Sequence, residues 1–300
     1  MLKIAFDPIY HHPLPKGHRF PMAKYSLLPE QLLYEGTCTE DNFFPPKLLS
    51  EEQILRTHCP EYWQKLKYLK LSRAEERRTG FPLSAQLVER ERRIAQGTID
   101  CCFHALKNGV SLNIAGGTHH AYTNRGEGFC LLNDIAIAAH YLLDHNLAQQ
   151  ILVVDLDVHQ GNGTAEIMAS EKRVFTFSMH GEKNYPLHKE KSDLDIALAD
   201  GTDDQEYLSR LQSELPILMD SLNADFIFYQ SGVDVLATDK LGRLGMSIAG
   251  CKERDRYVFE EAQKRQIPVV CSMGGGYSER LADIVEAHAN TYRLAQTMYF

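Results

Sequence analysis

Six short apolar runs, each closing on polar or glycine residues, constrain this chain more than any other feature. They are KIAFD (3–7), SLNIAGG (111–117), ILVVDLD (151–157), VFTFSMH (174–180), DFIFYQSG (225–232) and PVVCSMGGG (268–276). Their length and their β-branched or aromatic content predict buried strands. Helical stretches lie between them, among them 133–146, 204–222 and 249–266. Strands alternating with helices predict parallel pairing and an α/β layered fold. Residues 47–108 read as mostly helical and rich in mixed charge, as in RAEERR (73–78) and VERERRIAQ (88–96). Glu75, Glu76, Glu89 and Glu91 interrupt the basic residues there. The segment is therefore expected to form solvated helices on one side of the sheet rather than a nucleic-acid surface. No linker, repeat or low-complexity tract divides the chain, so residues 1–300 are expected to form one domain.

The polar clusters fall just after the apolar runs. Gly116-Gly117-Thr118-His119-His120 follows the second, Asp155, Asp157 and His159 the third, and Ser178 and His180 the fourth. Asp234 follows the fifth, and Gly274-Gly275-Gly276-Tyr277 the sixth. Open parallel sheets bind ligands beyond the carboxyl ends of their strands. Five segments distant in sequence are thus expected to converge on one site.

Within Asp155-Leu156-Asp157-Val158-His159, alternate side chains at a strand end point the same way. Asp157 and His159 can then offer a carboxylate oxygen and an imidazole nitrogen to one point. A catalytic zinc site takes three protein ligands and keeps a position open. Asp234, beyond another predicted strand, is the candidate third ligand. An Asp/His/Asp set suits Zn²⁺, and Fe²⁺ or Co²⁺ would also fit.

The adjacent imidazoles of His119 and His120 cannot easily both carry charge near neutral pH. One neutral and one protonated ring would suit deprotonation of a water followed by protonation of a leaving amine. Tyr277, after three glycines, could donate a hydrogen bond to an oxyanion. Cys130, close to the histidine pair in sequence, opens a Cys–His alternative that would leave the Asp/His/Asp set unexplained. The seven cysteines are odd in number and contain no Cys-x-x-Cys, which predicts free thiols in a reducing, cytoplasmic setting. The N-terminus does not read as a signal peptide, and no apolar run approaches a membrane span. The formal net charge of −8 argues against general binding to nucleic acid or anionic membranes and favours a cationic substrate.

Taken together, GGTHHA (116–121), GEGFCLLND (126–134), DLDVHQGNGT (155–164), SMH (178–180), SGVD (231–234), DKLGRLGMS (239–247) and GGGY (274–277) resemble consecutive signature blocks of the histone deacetylase family. LPKGHRFPMAKY (14–25) is also similar, which extends the resemblance over almost the whole chain. The HRFPM segment, the short chain and Asn162 resemble its compact class IV-like or bacterial branch.

The resemblance implies the three-layer arginase/deacetylase fold, a single domain with a central parallel sheet of eight strands. It implies zinc held by Asp157, His159 and Asp234, tandem histidines with His120 as principal base, and Tyr277 as oxyanion donor. Asp155 would orient His119 and help hold a structural potassium ion, with Ser178 and the backbone carbonyls of Asp157, His159 and Met179. Asn162 stands where many relatives have an aspartate behind the second histidine; an amide orients the ring without adding charge. Gly128, Phe129 and Tyr185 would line an acyl-lysine tunnel, with Leu241 at its rim and Gly275 among the substrate-binding residues. Thr118 stands where many relatives carry a large aromatic, which implies room for acyl groups longer than acetyl. Glu75 and Glu76 are the candidates for an acidic rim residue. The implied activity is hydrolysis of acyl groups from lysine side chains of proteins or peptides. Deacetylation of acetylpolyamines or another small amide is the alternative. A two-manganese ureohydrolase would need paired carboxylates where this chain has only SGVD, and a non-catalytic acyl-lysine binder would leave the chemically competent residues unused.

Overall fold

The strands that carry the polar clusters are neighbours in the centre of one sheet. The computed structural model describes residues 1–300. The strands are β1 (Ile4–Ala5), β2 (Phe43–Phe44), β3 (Val110–Asn113), β4 (Ile151–Asp155), β5 (Val174–Gly181), β6 (Leu194–Leu198), β7 (Phe226–Gln230) and β8 (Val269–Ser272). They form one eight-stranded sheet in the order β2-β1-β3-β8-β7-β4-β5-β6. Every pairing is parallel. This is the α/β architecture that the alternating runs predict.

Each residue of β3, β4, β7 and β8 is buried. A strand buried on both faces needs cover on both sides, so it reads as a continuous apolar run. The two strands absent from the six runs are the edges. β2 has two half-buried residues, and β6 alternates partly buried and exposed positions. An edge strand has only partial cover and reads like a polar loop.

The helices are α1 (Lys24–Tyr34), α2 (Glu51–Leu55), α3 (Pro60–Lys67), α4 (Arg73–Thr79), α5 (Ala85–Asn108), α6 (Asp134–Asp144), α7 (Asn162–Met168), α8 (Asp204–Leu222), α9 (Ile248–Lys264) and α10 (Leu281–Tyr299). Local chemistry sets several of the starts. The side chains of Asn133, Asp203 and Ser247 accept from the N–H groups of Ala136, Glu206 and Gly250, capping α6, α8 and α9. α5 packs on β3, β8 and α6, whereas α9 packs against α8 and α10. No helix is long and apolar enough to cross a membrane.

One expectation is corrected in α5. The sequence 88–96 was expected to be solvated, yet Arg90 and Glu91 are both buried and ion-paired to each other. Arg90 also donates from Nε to the Tyr10 carbonyl at 2.8 Å. The helical period explains this, because Leu87, Ile94 and Thr98 place positions 90 and 91 on the inward stripe. Breaking such a pair strands a charge in the core. Arg90→Leu is expected to cost about 3–5 kcal/mol, measured as a shift of the denaturation midpoint. A shift equivalent to less than about 1 kcal/mol would show that Glu91 is readily accommodated unpaired.

Candidate active site

In the sheet order, β3, β8, β7 and β4 stand side by side. Their carboxyl ends therefore deliver His119–His120, Gly274–Tyr277, Asp234 and Asp155–His159 to one place. β5 extends through Ser178 and His180 to Gly181, so those residues lie within the strand rather than beyond it.

Asp157, His159 and Asp234 are all buried, and one ligand atom from each lies within 4.8 Å of the others. His159 Nδ1 is 3.1 Å from both Asp157 Oδ1 and Asp234 Oδ2. The carboxylates are held from behind by backbone. The Gly275 N–H donates to Asp157 Oδ2 at 2.8 Å, and the Val158 N–H to Asp234 Oδ1 at 2.9 Å. A side chain at Gly275 would place its Cβ only 2.8 Å from Asp157 Oδ2, so only glycine fits so close to the carboxylates. Two buried carboxylates with one imidazole form a mixed oxygen and nitrogen donor set that could hold a divalent transition metal.

The two histidines stack obliquely, with ring centroids 4.1 Å apart, and each has its own partner. His119 Nδ1 lies 2.7 Å from Asp155 Oδ2. His120 Nδ1 lies 2.6 Å from Asn162 Oδ1, while Asn162 Nδ2 donates to the Tyr122 hydroxyl at 3.0 Å. With the amide so oriented, its oxygen can only accept from His120 Nδ1–H. That leaves His120 Nε2 unprotonated.

The rings differ in charge for identifiable reasons. Burial and the neighbouring His119 and His159 hold His120 well below the usual histidine range. Burial also works against charge on His119, but Asp155 and Asp157 outweigh it and raise that ring above its ordinary value. The two rings are thus biased in opposite directions, His119 towards the protonated form and His120 towards the neutral one.

Tyr277 faces the Asp157, His159 and Asp234 set, its ring centroid 6.4 Å from that of His159. Its backbone N–H donates to Asp239 Oδ2 at 2.6 Å. Burial, with Asp234 and Asp157 nearby, raises its phenol far above the ordinary value, so it remains a hydrogen-bond donor at neutral pH.

The approach to these groups has two parts. An outer slot of about 230 Å³ is lined by Gly128, Phe129, Tyr185 and Leu241, with His120, His159 and Tyr277 at its floor. A tight inner chamber of about 40 Å³ continues past Thr118, Cys130 and Gly275 towards Phe20, Tyr25 and Arg90. Gly128 has φ +51°, and a Cβ there would lie 2.7 Å from His120 Cδ2, so only glycine lets the loop pass. Phe129 itself has φ +67°, unusual for a bulky residue. α4 holds the pair in place: Gly128 and Phe129 donate their N–H groups to the Arg78 and Thr79 carbonyls at 3.1 and 2.7 Å. Across the slot, Asn184 Nδ2 donates to the Leu241 carbonyl at 2.7 Å, tying the Tyr185 loop to the rim.

Neither glutamate expected at the rim lines it. Glu75 pairs with Lys65 at 2.6 Å and caps Ser72, and Glu76 accepts from the Leu83 N–H at 3.3 Å. Their short helix turns them away from the slot and presents Arg78 instead. The Thr118 hydroxyl bonds Asp134 Oδ1 at 2.7 Å, so its methyl is what remains for the chamber. Cys130 is not an activated thiol, because burial pushes it well above its ordinary value. Arg90, Tyr25 and Tyr122 belong to this site or its support, and the motifs did not single them out. Tyr25 was within reach, because it lies in the similar segment 14–25.

A buried Asp/His/Asp set at the base of a slot, flanked by a neutral histidine and a phenol, is an arrangement that could hold a metal and activate a water, as hydrolases do. The histone deacetylase domain model matches residues 18–292. An uncharacterized protein of Picosynechococcus sp. is 41% identical over 99% of both chains. Histone deacetylase 2 of Arabidopsis thaliana is 29% identical, over 90% of this chain and 72% of its own length. Crystal structures share the fold. A histone deacetylase homologue complexed with SAHA gives a TM-score of 0.83 at 23% identity, over 99% of this chain and 83% of its own. A homologue from Aquifex aeolicus gives 0.83 at 22% identity, over 97% and 82%. The chain belongs to the histone deacetylase family, and its fold is the arginase/deacetylase fold.

Proposed function

We propose that this protein is a zinc-dependent lysine deacylase that hydrolyses the side-chain amide of acyl-lysine in proteins or peptides. The observation that carries this reading is the placement of Asp157, His159 and Asp234 at the base of a slot, opposite Tyr277 and beside a neutral His120. Asp157, His159 and Asp234 would hold the zinc, which when bound supplies Lewis-acid polarisation and makes water a better nucleophile near neutral pH. A structural potassium ion is assigned to Asp155, Ser178 and the carbonyls of Asp157, His159 and Met179. Asp155 and Ser178 are register partners in β4 and β5, which supports that assignment.

The residues divide the work. Phe129 and Tyr185 flank the alkyl chain of the lysine, and Leu241 covers it at the rim. His120 Nε2 accepts a proton from the attacking water. Tyr277 donates its phenolic hydrogen to the oxygen of the tetrahedral intermediate. The proton carried by the histidine pair passes to the departing amine, leaving a carboxylate and free lysine. The slot lining includes two arginines and no carboxylate, which disfavours a polyamine carrying a distal ammonium.

Asn162 tests the base assignment. His120 is depressed, so activity is retained above its pKa and lost as pH falls through it. Asn162→Asp adds a carboxylate at Nδ1 and is expected to raise that pKa by about one unit or more. The acid limb of the kcat/KM profile should then move to higher pH. An unmoved limb would show that His120 does not set it.

Thr118→Trp would fill the chamber where the acyl group sits. It is expected to lower octanoyl-lysine turnover by roughly tenfold or more relative to acetyl-lysine. A profile of acyl lengths identical to that of the parent protein would remove Thr118 as a determinant.

A further inference from the structure

The chain carries a formal net charge of −8, yet the mouth of its slot is basic. Arg19 and Arg78 both line it. Both are exposed, and both stand outside every arginine–carboxylate pair in the chain. Their positions are built into the site. Arg78 is in the last turn of α4, and its own carbonyl accepts from the Gly128 N–H at 3.1 Å, so the contact that shapes the slot fixes the arginine beside it. The Arg19 guanidinium lies 5.0 Å from the centroid of the Phe129 ring, the aromatic wall of the same slot.

None of the carboxylates around this lip is ion-paired to either arginine: Glu76 accepts from the Leu83 N–H, and Asp239 accepts from the Leu241, Gly242 and Tyr277 N–H groups. Glu75 is held by Lys65, and Glu127 by Arg125 and the Tyr185 hydroxyl. Two uncommitted guanidinium groups, in a protein whose overall field is negative, form a local anion-seeking feature. Arginine pairs with carboxylates through two parallel N–H···O bonds.

We propose that Arg19 and Arg78 are specificity-determining residues, selecting acyl-lysines with Asp or Glu within a few residues of the modified lysine. The proposal rests on the deacylase reading and narrows its substrate class to acidic peptide segments. It reverses the expectation from net charge, because the field at the mouth is set by the groups nearest to it and more distant charges are screened.

The test uses the full chain and three matched acetyl-lysine peptides whose flanking residues are acidic, neutral or basic. Exposed charge pairs are individually weak, so kcat/KM is expected to fall about five- to tenfold from the acidic to the basic peptide at low salt. The ratio should shrink towards one at high salt. Arg19→Glu with Arg78→Glu is expected to invert the order, whereas Arg78→Lys, which keeps the charge, preserves it. Turnover without a charge order, or an order unchanged in the double glutamate variant, overturns this inference and leaves the deacylase reading standing. Turnover of none of the peptides or of their longer-acyl counterparts, by protein with stoichiometric metal, overturns the deacylase reading. Fluorescence anisotropy of the same peptides then decides the rim by itself: tighter binding of the acidic peptide supports it, and equal binding overturns it.

Discussion

Asp234→Asn is expected to lower both metal content and turnover, with kcat/KM falling by about 10³-fold or more. The size follows from the several kcal/mol of charge stabilisation that a Lewis-acid metal contributes to amide hydrolysis. The substitution keeps the shape of the side chain but removes one of two buried carboxylate charges beside His159. Burial and Asp157 push the Asp234 carboxyl up to about 7, although His159 opposes this. A cation therefore competes with a proton there, and metal affinity should fall as pH drops below neutrality. The check is metal analysis of the purified variant alongside its turnover. A variant with stoichiometric metal and parental activity would show that Asp234 is not a ligand.

Tyr277→Phe is expected to lower kcat by about 10²-fold, with a much smaller change in KM. The phenol lies across the slot from the histidines and is kept protonated by burial and by the Asp234 and Asp157 carboxylates. The ring remains in the variant, so its packing against Phe20 and Phe129 remains too. Only the hydrogen bond to the developing oxyanion is removed. A loss confined to KM would assign the hydroxyl to substrate binding, and an unchanged rate would remove Tyr277 from the mechanism.

The site was more legible in the sequence than the scaffold around it. A buried parallel strand must be apolar throughout, so the polar residues at its carboxyl end stand out, and β3, β4, β7 and β8 each announce one part of the site. Their convergence depends on strand order, which local pattern does not contain; the resemblance to a known family implied it. The edges β2 and β6 are short and half exposed, and they carry no such signature. Burial of Arg90 and Glu91 was hidden for a different reason. Their charge suggests solvent, and only the apolar stripe of α5 reveals that they face inward. Arg78 was passed over in favour of Glu75 and Glu76 because a run of mixed charge does not say which residues lie nearest the slot. That is decided by two backbone hydrogen bonds from residues some fifty positions away.

The proposed activity is metal-dependent hydrolysis of acyl-lysine. Its most direct test is release of free lysine from an acyl-lysine peptide series, with acetylspermidine alongside, before and after chelator treatment and zinc restoration. The expected result is lysine release that the chelator abolishes and zinc restores, with acetylspermidine the poorer substrate. Protein of stoichiometric metal content that releases no lysine from any peptide, or that turns over acetylspermidine alone, would contradict it.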